Sequence, residues 1–203
     1  MSRVQTLEEL RTLYAEPKGR SVDKVLHLFE RHCRHFISLS PFALLATSSA
    51  DGAMDVSPRG DHPGFVSVED DRTLLLPDRP GNNRLDSLEN ILANPGVGLL
   101  FLIPGVDETL RVNGTAEIHA DADLLARFAI GGKKPATVLR ITLTEAYLHC
   151  AKALMRSRLW DPEARIERTA LPSMGEMLKD QIWGLGEVES QEEMVRRYRE
   201  LLY

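Results

Sequence analysis

Cysteine is scarce. The 203-residue chain has two, Cys33 and Cys150, and no CxxC pair, which excludes a disulfide scaffold and a cysteine-rich zinc knuckle. Aromatic residues make up 6% of the chain, too few for an extended base-stacking platform. No apolar run reaches membrane-spanning length, and the longest, Val97 to Ile103, suits one buried strand. The first twenty residues lack the apolar centre of a signal peptide, so the expectation is a reduced, cytoplasmic protein without a membrane partner. Internal repeats, low-complexity stretches, a GxSxG elbow, an HExxH pair and a Walker A loop are all missing.

What is present is ordinary in bulk. Hydrophobic residues at 43% and charged residues at 27% describe a globular chain. The net charge of −5 argues against a nucleic-acid partner, yet it leaves room for a local basic pocket among the 25 Lys and Arg.

Periodicity divides the chain. Thr6 and Glu9 fit a capping box ahead of Leu7, Leu10 and Leu13. Val22, Val25, Leu26, Phe29, Cys33 and Phe36 then recur at helical spacing, and both helices are expected to pack. From Ser40 the period shortens. PFALLATSS reads as a buried strand, Ala50-Asp51-Gly52 as a hairpin turn, and MDVSPR as an alternating strand with Asp55, Ser57 and Arg59 on one face. GFVSV, RTLLLP, VGLLFLI, TLRVNGTAEI and TVLRITLTEAYLH supply further strands, with VGLLFLI expected to be buried on both faces. Short helices are predicted after Arg84 and around Ala122 to Phe128. Beyond Asp161 the tail turns helical, with capping boxes at Ser173/Glu176 and Ser190/Glu193. The prediction is a mainly β fold, a small β-barrel with peripheral N- and C-terminal helices that closes off its strand edges. Residues 1–203 are expected to form a single domain: helices over 1–39, barrel over 40–160 and helical tail over 161–203.

Three stretches carry candidate chemistry. In PGNNR, the unpaired N–H groups of a coming helix suit a phosphate. Gly81 permits close approach, Asn82 and Asn83 can donate, Arg79 and Arg84 add charge, and Ser87 sits one turn further in. An ordinary turn before a capped helix would read the same way. Ser57 and Arg59 share a strand face, as they would on a solvated edge. Lys152, Arg156, Arg158 and Trp160 follow a strand and suit either an anion and a flat ring or a solvated strand end. His32, Cys33 and His35 lack a second cluster, so no metal site is expected. Gly184-Leu185-Gly186 follows a helix-like segment rather than a strand, which removes it as a dinucleotide loop. For Cys150, beside His149, burial is a commoner state than a nucleophilic thiolate.

Taken in order, PFALLATSSADGAMDVSPRGD, LLLPDRPGNNRLDSLENILANPGVGLLFLIPG, LRVNGTAEI and AYLHCAKALMRSRLW resemble the pyridoxamine 5′-phosphate oxidase-related flavoproteins with the FMN-binding split β-barrel, over roughly residues 40 to 160. The resemblance implies a homodimer with FMN in clefts between subunits. Ser57 and Arg59 would line the flavin, and Arg79, Asn82, Asn83, Arg84 and Ser87 would surround its phosphate. Lys152, Arg156 and Trp160 would close the site, from the other subunit if geometry requires. It further implies an FMN-dependent oxidoreductase with an unassigned small-molecule substrate, or NAD(P)H as donor, and no identified catalytic residue. The alternatives are a flavin- or nucleotide-binding module without turnover, and a split barrel holding haem or a deazaflavin. True pyridoxamine phosphate oxidases carry an Arg-x-Val-Leu-Leu-Lys strand where this chain has Asp55-Val56-Ser57-Pro58-Arg59-Gly60, and an Arg-Lys pair near Asp86-Ser87, which sets that oxidation itself apart.

Overall fold

The computed structural model describes residues 3–202. Seven antiparallel strands form one sheet: β1 (Phe42–Ser48), β2 (Met54–Gly60), β3 (Ser67–Val68), β4 (Thr73–Asp78), β5 (Gly96–Leu102), β6 (Thr109–His119) and β7 (Thr137–His149). Their spatial order is β2-β1-β5-β6-β7-β4-β3. In a flat sheet, the five steps from β2 to β4 would separate the two strands by about 24 Å. Instead Arg59 of β2 bonds Asp78 of β4 at 2.5 Å, so the sheet curls until its ends meet. The fold is the mainly β barrel that the sequence suggests, with one difference. β2 and β3 stay unpaired with each other in the ladder, and side chains bridge the seam instead of a strand pair.

The buried cluster fills this curl. Ala43 and Leu45, Leu74 and Leu76, Val97, Leu99 and Phe101, Leu110 and Val112, and Leu139, Ile141 and Leu143 all turn inward. β5 alternates between buried and half-buried positions rather than being buried throughout, because only one of its faces meets the core. A bulge between Asn113 and Gly114 shifts the β6–β7 register, and Gly114 passes so close to β7 that a Cβ would strike the Thr142 carbonyl.

The helices depart further from expectation. The stripe from Val22 to Phe36 is two helices, α2 (Arg20–Asp23) and α3 (Arg31–Leu39), separated by an extended link. Leu26 exchanges 2.9 and 2.8 Å hydrogen bonds with Ala146, and Glu30 caps α3 through the Cys33 and His32 amides. Tertiary pairing to β7 thus outcompetes helical propensity over Leu26. Of these two helices, only α3 delivers buried residues, Cys33 and Ile37. Helix α1 (Leu7–Leu13) buries none, so its leucines do not pack as expected. Helix α4 (Asp86–Ala93) seats Ile91 in the core but leaves Leu85 and Leu92 exposed. Helices α5 (Ala122–Arg127) and α6 (Lys152–Ser157) follow, then two 3-10 turns, α7 (Met174–Gln181) and α8 (Gln191–Leu201). Both tail capping boxes form, but neither α7 nor α8 buries a residue, and Trp183 is fully exposed.

The bulge yields a test. Gly114→Ala should cost about 1–3 kcal/mol of unfolding free energy, because the new methyl must displace backbone. Urea denaturation that shows an unchanged midpoint would mean the two strands separate there without penalty.

Candidate functional site

A cleft opens where β2 ends, β4 ends and α4 begins. Its volume is about 710 Å³, in the range of small-molecule sites. Ser57, Arg59, Arg79, Asn82, Asn83, Arg84 and Ser87 all line it. Alternation along β2 explains the first two, since Asp55, Ser57 and Arg59 lean inward while Met54 and Val56 are 72% and 58% exposed. This polar inward face meets α4 rather than the core. Ser87 Oγ donates to Asp55 Oδ2 at 2.6 Å, and Asn90 Nδ2 donates to Thr47 Oγ1 at 3.0 Å. Ser87 therefore docks the helix as well as lining the cleft.

In the PGNNR loop Gly81 has no positive φ, whereas Asn83 takes the left-handed conformation at φ 59°, a role asparagine tolerates better than most residues. A Cβ at Gly81 would meet only open space, so the protein's own packing does not require the glycine. Asn82 accepts from the Arg84 amide at 3.0 Å, and Leu85, the N-cap of α4, supplies no side-chain cap. The first-turn N–H groups of α4 are thus unclaimed by a capping side chain.

Each arginine at the cleft is matched with an acid. Arg59 Nη1 bonds Asp78, Arg79 Nε bonds Asp61 at 2.8 Å, and Arg84 Nε bonds Asp86 at 2.5 Å. The Asp61 side chain is 1% exposed, and Arg79 also donates to the Phe128 carbonyl at 2.6 Å. Arg84 lies at the open rim, 76% exposed, where its hydrogen bond to Asp86 and that residue's charge raise its pKa. The cleft is hence a set of oriented guanidinium forks rather than a surplus of bare positive charge. Two buried polar atoms on its wall have no partner: Arg59 Nε and Thr137 Oγ1. Sequence reading missed Thr137. It looks like any first residue of a strand, and only the β4–β7 register, which pairs it with Asp78, brings it to the cleft.

The third cluster is elsewhere. Lys152, Arg156 and Trp160 do not line this cleft. Thr137 begins β7 at the cleft, and α6 starts just beyond the other end of that 13-residue strand, about 40 Å along the chain. Trp160 instead donates to the Val106 carbonyl at 2.9 Å, in the loop between β5 and β6. Cys150 is exposed, against expectation, because it lies past the last strand residue. Cys33 is buried, and burial followed by the charge of Glu30 pushes its thiol up to about 11. No group of three or more His, Cys, Asp or Glu among the described residues is arranged to hold a metal. No helix among them is long and apolar enough to cross a membrane.

A family model described as pyridoxamine 5′-phosphate oxidase matches residues 29–150, which include every strand and the cleft. The chain belongs to the pyridoxamine 5′-phosphate oxidase family. Among solved structures, a single-substitution variant of HupZ from Group A Streptococcus is 18% identical at a TM-score of 0.49, covering 60% of this chain and 99% of that one. General Stress Protein 26 from Bacillus anthracis is 17% identical at a TM-score of 0.43, over 58% and 93%. A related protein of the pyridoxinephosphate oxidase family from Clostridium acetobutylicum is 16% identical at 0.44, over 60% and 87%. The comparison with curated proteins gives no match.

In this family member the buried Asp61 carboxylate yields a clear expectation. Asp61→Asn should cost about 3 kcal/mol at pH 7, since it leaves the Arg79 guanidinium poorly compensated. A loss under about 1 kcal/mol in chemical denaturation would show that other groups hold Arg79 in place.

Proposed function

We propose that the cleft binds FMN and that the chain acts as an FMN-dependent oxidoreductase within a cytoplasmic homodimer. One observation carries this reading. Residues from two separate segments, Ser57 and Arg59 on β2 and Arg79 to Ser87 around the start of α4, line a single cleft whose wall holds two buried, unpartnered polar atoms.

The residues fit the group. A phosphate suits the uncapped start of α4, the amides of Asn82 and Asn83 and the fork of Arg84, and the open space at Gly81 leaves room for it. Arg84 keeps donors beyond the one spent on Asp86. Arg59 is held by Asp78 and retains Nε–H as a fixed donor, suited to stabilising negative charge on a reduced ring. Thr137 Oγ1, on the same cleft, can donate or accept. When bound, FMN supplies hydride transfer, which needs no protein nucleophile. The donor or substrate would be NAD(P)H or another small molecule.

The position of the third cluster supports the homodimer. Lys152, Arg156 and Trp160 lie outside the cleft of their own chain, beyond the far end of β7, so a role for them at the flavin requires a second copy. Exposed Met54 and Val56 on the edge strand β2 offer apolar surface for such a contact.

Three measurements test these statements. Freshly purified protein should show the visible bands of oxidised flavin, lost on NADPH or NADH addition and restored by air. Arg84→Ala should weaken FMN binding about tenfold (~1.4 kcal/mol). A haem or deazaflavin spectrum, or unchanged FMN affinity in the variant, would overturn the assignment, and bound flavin that no donor reduces would leave a binding module. Light scattering should give twice the chain mass, and a monomer that binds FMN with full affinity would refute the shared site.

A further inference from the structure

The run Val97 to Ile103 reads as a strand covered on both faces, yet the chain covers only one of them. Val97, Leu99 and Phe101 enter the core, while Leu100 and Leu102 point outward and stay half-buried, outside the core cluster. Strand β1 has the same character. Its Ala43 and Leu45 turn inward, and Phe42 and Leu44 turn outward, again half-buried. The registers set these outward residues side by side. Pro58, Leu44 and Leu100 form one row across β2, β1 and β5, Val56, Ala46 and Gly98 a second, and Phe42 with Leu102 a third. Elsewhere the outward face is polar: Thr115 and Glu117 on β6, and Arg140 and Thr142 on β7, are all exposed.

Three strands at their ordinary spacing, each about seven residues long, make this apolar area about 14 by 24 Å, or roughly 340 Å². Patches of that size on soluble proteins are often interaction sites. The border has the make-up of an interface rim. Along the same rows, Arg111 stands beside Leu100, Asn113 beside Gly98, and Glu145 beside Asn113. Among the described residues neither Arg111 nor Glu145 is in an ion pair. Arg111 donates to the Tyr147 hydroxyl at 2.9 Å, and Glu145 accepts from Asn113 Nδ2 at 2.8 Å.

Two features say what covers the face. A cation and a carboxylate at one rim complement a copy of that rim, whereas a partner charged in one sign would be repelled by one of the two. The face also runs into the cleft, because Pro58 both lines the cleft and stands in the first apolar row. Exposed Met54 and Val56 extend it along the same side of β2. We propose that a second copy of this chain packs on the outward face of β2, β1 and β5, with Leu44 and Leu100 in the buried centre. That copy then borders the cleft, where a role for the third cluster requires a partner. The inference rests on the homodimer proposed above and adds the face through which it forms.

The test is sedimentation equilibrium on the full-length chain over a range of concentrations, with FMN affinity measured on the same samples. Leu44→Asp and Leu100→Asp should each raise the dimer dissociation constant about a hundredfold or more, because every dimer would bury two unpaired carboxylates. Val56→Lys should act in the same direction at a position already 58% exposed in the single chain, where the fold tolerates a charge. Thr142→Asp, on the polar part of the outward surface, should leave the constant unchanged. Wild-type affinity between copies in both leucine variants, or a wild-type monomer, would overturn the face. Flavin binding is read separately. Monomeric variants that keep full FMN affinity would leave the face standing and remove the shared site. A dimer that these substitutions break but that binds no flavin would leave it standing and remove the flavin assignment.

Discussion

Two ion pairs across one seam hold the organisation of this molecule. Arg59 and Asp61 leave the end of β2, Asp78 and Arg79 leave the end of β4, and they pair crosswise, Arg59 with Asp78 and Asp61 with Arg79. These strands stand first and sixth in the sheet order, so the contacts exist only because the sheet has curled. Where a closed barrel would use backbone hydrogen bonds, this one uses charged side chains that leave a gap between the strands. The cleft lies in that gap. A fully paired seam would have neither the opening nor the guanidinium forks that line it.

Holding those charges away from water demands compensation, and the chain provides it locally. Buried ion pairs add little net stability, because desolvation offsets most of the Coulomb attraction. Their value here is orientation: a carboxylate fixes each guanidinium while leaving other N–H donors of the same fork unspent. The far end of β7 contrasts with this arrangement. There, two exposed cations, Lys24 and Arg111, share the Tyr147 ring in place of acids, and His149 is left with an unmet ring nitrogen.

Much of the strand layout could be read from alternation. β1, β2, β6 and β7 fall where period two predicts, and Leu139, Ile141 and Leu143 point inward as expected. The hairpin glycine Gly52 takes its positive φ, and both tail capping boxes form, because such signals act within a few residues. Misreadings share a different cause. The stripe from Val22 to Phe36 has good helical spacing, but Leu26 pairs with Ala146, a partner far away in sequence. At α4, Leu85 and Leu92 have the right period for packing and still face solvent, because the helix docks through Ile91 and Leu88 together with the polar Ser87 and Asn90, which bond Asp55 and Thr47. Periodicity reports which residues share a face and says nothing of what that face meets.

Alternation, capping and turn stereochemistry act over short stretches of chain. They were enough to specify the mainly β fold and the positions of most elements, while Ser57 and Arg59 and the PGNNR stretch stood as separate candidates that only the family resemblance joined. Longer-range geometry supplied what no local signal could. Strand register and the curl of the sheet match Arg59 with Asp78 and Arg79 with Asp61, bring Thr137 to the cleft wall, and leave Lys152, Arg156 and Trp160 outside it. They also set Pro58, Leu44 and Leu100, from three strands, side by side on one outward face. These groups meet through the folding of distant strands onto one another, and no spacing along the chain connects them.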